Sequence, residues 1–161
     1  MTPHEDEPPA PSSVSRALIL FVVLVLGIGL AIGYLTVPGL WYLRLAKPGF
    51  TPPNWVFAPA WTILYVLVAI GGWLVWRRDR DSRPMRLWWI QMLLNFCWSP
   101  IFFAAHLTGL ALAVILLLLI TILAFIATAW RNDRIAALLF LPYAAWVAFA
   151  SALNAGIYLL N

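Results

Sequence analysis

Charge is what this chain has least of. Only 10% of its 161 residues are Asp, Glu, Lys or Arg, while 64% are apolar; an average soluble domain is about 25% charged and about 45–50% apolar. A chain of this length has too little interior to hide so much apolar surface from water, which excludes a soluble globular protein. The same figures exclude disorder, which needs low hydrophobicity and high charge. The single cysteine, Cys97, excludes an internal disulfide framework and a Cys-rich metal site. Acidic groups are missing from every long apolar run: Glu5, Asp6, Glu7, Asp79, Asp81 and Asp133 all lie outside them. Proton- and ion-coupled transporters need an ionisable group at membrane depth to bind and release the ion. Its lack argues against a small drug/proton antiporter and leaves room for a carrier of neutral or amphipathic ligands. His106 has no Cys, Asp or Glu beside it, a poor basis for a metal or haem ligand.

Apolar runs of membrane-crossing length are what the chain has most of. A hydrocarbon core about 30 Å thick needs roughly 20 helical residues, and the charge-free runs divide into spans of about 17–36, 53–76, 86–105, 109–130 and 134–160. The expected fold is therefore all-α, an integral membrane bundle of five transmembrane helices, with residues 1–16 as a short disordered tail and 17–161 as the membrane domain. The tail lacks the basic opening of a cleaved signal peptide, so the first apolar segment is read as a retained helix. The 44 residues from Leu87 to Trp130 form two spans, with a tight turn at His106-Leu107-Thr108-Gly109. Arg16, Arg77, Arg78, Arg80, Arg83, Arg86, Arg131 and Arg134 then fall on one side and Arg44 and Lys47 on the other, eight against two. In a bacterial inner membrane this bias puts the N-terminus in the cytoplasm. The net charge of +4 thus reads as topology, with no nucleic-acid footprint. The 77–86 loop is read first as a topology anchor and second as an anionic-lipid site.

Polar and aromatic residues inside the spans are sparse and patterned. Trp88, Gln91, Asn95, Trp98 and Phe102 share one face of span three, Tyr143, Trp146, Ala150 and Asn154 one face of span five, and Phe57, Trp61 and Tyr65 one face of span two. Span four is almost wholly aliphatic and is expected to face mostly lipid. Of the ten tryptophans, Trp41, Trp55, Trp73, Trp76, Trp88 and Trp130 lie near span ends and suit an interfacial belt. Trp61, Trp98 and Trp146 lie deeper and fit helix packing and a ligand-facing role equally. Asn95 fits an interhelical hydrogen bond or a ligand contact. Cys97 is read as a small packing residue, and Gly29 and Gly33 form a G-x-x-x-G pattern that suits close helix contact.

Three blocks resemble a known family. Trp41-Tyr42, Lys47-Pro48 and Pro52-Pro53, followed by Val56-Phe57, Trp61 and Leu64-Tyr65, form the first; Asn95, Trp98, Pro100 and Phe102-Phe103 form the second; Pro142-Tyr143, Trp146, Phe149-Ala150 and Leu153-Asn154 form the third. Together they closely resemble the tryptophan-rich sensory protein/translocator protein family (TspO/MBR, the peripheral benzodiazepine receptor family). The resemblance implies a five-helix bundle, commonly a homodimer, with a cavity under the first loop that binds porphyrins such as protoporphyrin IX and other flat lipophilic ligands. No cofactor is required; the porphyrin is a ligand. Carried over position by position, the binding residues are Trp41, Tyr42, Trp61, Asn95, Trp98, Trp146 and Ala150. Lys47, Pro48, Phe50, Pro52 and Pro53 would belong to a lid loop whose conformers the prolines narrow.

Two departures matter. Phe50 stands where the family usually has Trp, which removes an N–H donor, and no Arg or Lys follows Tyr158 while Ala155 replaces a family tyrosine, so cholesterol recognition is not carried over. The implied function is a membrane receptor or carrier for sensing or moving tetrapyrroles. Light- or oxygen-dependent porphyrin degradation, proposed for some bacterial members, is the alternative. No acid–base or nucleophile constellation supports a conventional enzyme.

Overall fold

The computed structural model describes residues 11–161, and the reading of residues 1–10 as a tail lies outside them. Among the described residues seven α-helices follow one another: α1 (Pro11–Leu35), α2 (Leu40–Arg44), α3 (Phe57–Arg78), α4 (Arg83–Ser99), α5 (Thr108–Ala129), α6 (Arg134–Leu139) and α7 (Leu141–Leu160). A 3-10 turn, Asn54–Val56, opens α3, and a π-helical stretch, Pro100–Ala104, extends α4. No strand occurs among the described residues, and five helical segments are long and apolar enough to cross a membrane, with α6 and α7 together forming the last. The chain is a multi-pass integral membrane protein.

Residues 11–16, assigned to the tail on sequence, belong to α1. Pro11 costs nothing at a first turn, where its missing N–H would be unpaired anyway, and adding turns to an existing helix is far easier than starting one.

Local chemistry sets the other boundaries. The Ser82 hydroxyl accepts from Met85 N–H and caps α4, while Pro84 sits in its first turn. Asp133 caps α6 through Ala136 N–H at 3.0 Å. Pro100 cannot donate into the α4 ladder, and the helix widens there, with Ala105 N–H reaching Pro100 O at 2.9 Å. The chain then reverses at His106, whose φ of 59° lies in the left-handed region, one that His tolerates better than branched residues do.

The helices are not equally embedded. α5 packs against both α4 and α7, and α6 lies against α3 and α5. α1 rests chiefly on α3, and over its residues 16–35 only Val25 and Gly29 are buried. The expectation that span four faces mostly lipid is therefore corrected: Ala111, Ile115, Leu118, Ile122, Phe125 and Ala129 form a buried stripe through the middle of the bundle. A nearly all-aliphatic helix shows little polarity contrast between its faces, because lipid tails and protein interiors solvate Leu and Ile alike.

The arginine-rich half of the bundle is densely filled. Phe125 stacks on Phe140 at 4.0 Å, and Phe140 meets the edge of Tyr143 at 5.7 Å. Gly71 and Gly72 make room on α3: a Cβ would strike the Phe140 ring at the first and the Trp88 indole at the second. Trp88 is 2% exposed and donates to Val68 O at 2.9 Å. It is a core residue, which corrects its assignment to the interfacial belt. Cys97, read as a packing residue, is instead exposed on α4. The G-x-x-x-G pattern splits: Gly29 lies against the Tyr65 ring, whereas a Cβ at Gly33 would meet nothing.

Candidate functional site

The other half of the bundle holds a cavity of about 520 Å³. Three helices supply most of its aromatic wall. Phe57, Trp61 and Tyr65 come from successive turns of α3, Trp98 and Phe102 from α4 and its π-helical extension, and Trp146 from α7. The three faces drawn from sequence spacing thus meet around one space. α5 adds Ile115 and Leu118 as an aliphatic back wall. On the opposite side Leu30, Gly33 and Tyr34 of α1 line the cavity while being exposed outward, so the space reaches the lipid-facing surface along α1.

The polar groups of the wall are tied into two strings. In the first, the Tyr65 hydroxyl donates to Asn95 Oδ1 at 3.1 Å, Asn95 Nδ2 to the Tyr143 hydroxyl at 2.9 Å, and that hydroxyl to Gln91 Oε1 at 3.0 Å. In the second, Trp98 Nε1 donates to Asn154 Oδ1 at 3.1 Å and Asn154 Nδ2 to Thr108 O at 2.9 Å. Membrane interiors offer no water for unpaired polar groups, and these bonds fix both Asn side chains and the Trp98 ring. Trp146 differs, since its buried Nε1 has no partner. At the α1 side the Thr36 and Ser99 hydroxyls meet at 2.6 Å, a polar tie between α1 and α4.

Of the residues singled out on sequence, Tyr42, Trp61, Asn95, Trp98, Trp146 and Ala150 line the cavity. Trp41 does not. It stacks on His106 at 4.0 Å and meets the edge of Phe102 at 5.9 Å, bracing α2 against the turn before α5. The loop residues Lys47, Pro48, Phe50, Pro52 and Pro53 do not line the cavity either. Lys47 Nζ donates to Leu43 O and Leu45 O at 3.4 and 3.2 Å and lies 4.6 Å from the centre of the Tyr42 ring. Pro48 packs on Gly156, and Phe50 stands 6.3 Å from Phe149. Asn161 clasps the loop through both groups of its amide, accepting from Ala46 N–H at 3.1 Å and donating to Ala46 O at 3.0 Å. Burial pushes the Tyr42 phenol above its ordinary range, which keeps it neutral beneath the lysine.

Tyr65, Phe57 and Ser99 are cavity residues that the position-by-position reading missed. The signal for the first two was present in their spacing with Trp61. Ser99 gave none, because its partner Thr36 is 63 residues away. Among the described residues no three His, Cys, Asp or Glu side chains come together.

The fold and the cavity define a class: a multi-pass helical membrane protein with an aromatic chamber in one half and a closed core in the other. Within that class, the sequence model of the TspO/MBR family matches residues 21–160, and the chain belongs to that family. It is 41% identical over 148 residues to the tryptophan-rich protein TspO of Archaeoglobus fulgidus, covering 89% of this chain and 96% of that one. The protein CrtK of Rhodobacter capsulatus is 36% identical over 135 residues, covering 81% and 84% of the two chains. The human translocator protein is 41% identical over 120 residues, with 71% and 70% covered.

Proposed function

We propose that this protein is a membrane receptor or carrier that binds porphyrins and similar flat lipophilic molecules in the chamber between α3, α4 and α7, for tetrapyrrole sensing or transport. The carrying observation is a cavity of about 520 Å³ walled by Trp61, Trp98 and Trp146, inside the range of about 300–1,000 Å³ usual for small-molecule sites. Wide aromatic faces suit a flat apolar ring system. Names among the relatives, tryptophan-rich sensory protein and translocator protein, agree with sensing or transport. The proposal includes a homodimer and an N-terminus on the arginine-rich, cytoplasmic side. Cysteine labelling of loop positions in a Cys97→Ser background, in sealed vesicles, tests the orientation; label reaching residue 81 from the outer face would overturn it.

The deciding experiment is a titration of purified protein with protoporphyrin IX in the dark, following tryptophan quenching and the Soret band. Trp146→Ala is expected to weaken saturable binding on the order of tenfold, as for loss of a buried aromatic anchor, with the protein still monodisperse. Non-saturable quenching equal in both proteins would mean partition into the micelle and would remove the chamber as a porphyrin site. A second reading, light-dependent porphyrin degradation, is favoured by the tryptophans that line the chamber, which are oxidisable groups next to a bound photosensitiser. Bleaching of the Soret band under light at the rate seen with an inert membrane protein would eliminate it.

A further inference from the structure

A second concavity lies at the arginine-rich end, where the α3–α4 loop meets the end of α5; it measures about 520 Å³. Arg83 enters it from the first turn of α4 and Arg131 from the turn after α5, with Asp79 and Asn132 beside them. The hydroxyls in its wall are already engaged. Ser82 Oγ donates to Asp79 O at 2.8 Å and accepts from Met85 N–H, and Thr128 Oγ1 donates to Ala124 O at 2.8 Å. The two guanidinium groups and the Asn132 amide are what the crevice offers an anion.

Other arginines of this end are used differently. Arg77 lies 4.7 Å from the centre of the Trp73 ring and Arg80 4.1 Å from that of Trp76, as cation–π anchors at the membrane edge. Arg83 and Arg131 come from separate loops and converge on one hollow, which an anchoring role alone does not require. The apolar part of the hollow continues into the bilayer. Ala127 lines it, and Leu123, Ile120 and Leu116 follow on the same face of α5, 52%, 62% and 44% exposed. The shape and chemistry fit an amphiphile with an anionic head and a chain lying along α5. Asp79 refines the choice, because its carboxylate disfavours a bare, doubly charged phosphate and favours a head that also carries hydrogen-bond donors.

We propose that this crevice binds a glycerophospholipid of the adjoining leaflet, its phosphodiester held by Arg83 and Arg131 and a hydroxyl- or ammonium-bearing headgroup turned toward Asp79. The site is independent of the aromatic chamber.

Native mass spectrometry of the detergent-purified protein with phosphatidylglycerol, phosphatidylethanolamine, phosphatidylcholine and inorganic phosphate tests it. Phosphatidylglycerol and phosphatidylethanolamine are expected to bind more tightly than phosphatidylcholine, whose head has no donor. Arg83→Gln with Arg131→Gln should weaken them by about tenfold or more, the scale of two arginines near a lipid phosphate. Arg78→Gln with Arg134→Gln removes the same charge outside the crevice and should change little. Equal losses in the two double variants would reduce the effect to net charge and overturn the site. Competition by inorganic phosphate as strong as by lipid would make it a free-phosphate site and overturn the lipid assignment. Should the first double variant fail to fold, Asp79→Asn decides, since it keeps both arginines. It should narrow the preference over phosphatidylcholine by about threefold or more, and an unchanged preference would overturn the role given to Asp79 and the headgroup choice with it.

Discussion

Both halves of the bundle are built around aromatic rings, and only one of them holds an aromatic-walled chamber between its helices. In the arginine-rich half two large rings close directly on glycines: Trp88 lies on Gly72 and Phe140 on Gly71, with Ala129, Ala136 and Ala137 buried around them. In the other half several large rings face one another across elements. Trp61 stands 6.3 Å from Tyr143, Phe57 5.9 Å from Trp146, and Trp41 5.9 Å from Phe102. Rings opposite rings hold helix axes apart, while rings opposite glycine let them close. Proline acts in the same direction, since Pro38, Pro48, Pro52, Pro53 and Pro100 all sit at the open end. Aromatic content alone therefore does not make a chamber; the partner across the interface decides.

The sharpest way to break this contrast is to spoil a small partner. Gly72→Leu must displace the Trp88 indole and its bond to Val68, and overpacking of this kind costs about 1–3 kcal/mol, so a clear fall in melting temperature in detergent is expected. The same substitution at Gly33, where the space is open, should leave melting unchanged. If the two variants melt alike, packing at the closed end is not what separates the halves.

A smaller effect is expected from the polar string. Tyr143→Phe strands Asn95 Nδ2 and Gln91 Oε1, for a loss of about 1 kcal/mol, the usual scale inside membranes, readable as lower thermal stability with the cavity rings unchanged. The paired substitutions Trp88→Phe and Trp61→Phe sharpen the comparison further. The first removes a satisfied core N–H and should destabilise by about 1 kcal/mol. The second, in the chamber wall, should sit within about 0.5 kcal/mol of the parent and act on porphyrin affinity instead. The smallest change belongs to Asn161→Ala, which should leave melting nearly untouched and speed hydrogen exchange at Ala46, whose N–H loses its acceptor.

Much of this was legible in the sequence, and the parts that were not share a cause. Span number and the inward faces of α3, α4 and α7 follow from periodicity, because Asn, Gln and Trp among aliphatic residues mark a side. On α5 only Thr121 and Thr128 break the aliphatic run, too little to mark a side, and the buried stripe from Ala111 to Ala129 was not legible. Trp88 looked interfacial because its position in sequence is near a span end; its burial depends on Gly72 of another helix, a pairing that spacing within one helix cannot reveal. Trp41, Pro48 and Phe50 were placed over the chamber by resemblance alone. Their observed partners, His106, Gly156 and Phe149, lie more than 60 residues along the chain.

The string from Tyr65 to Gln91 has a direction. Every bond in it points its proton the same way, from the chamber toward the closed core, and it ends at Gln91, whose Nε2 has no partner. Turning one amide over would set two donors or two acceptors face to face, so the string keeps its sense or reverses as a whole. Reversed, Gln91 Nε2 would donate to Tyr143, and Tyr65 would be left with a proton to give where it now has only lone pairs. The polarity of one hydroxyl in the chamber wall is thus set by an amide three side chains away in the core.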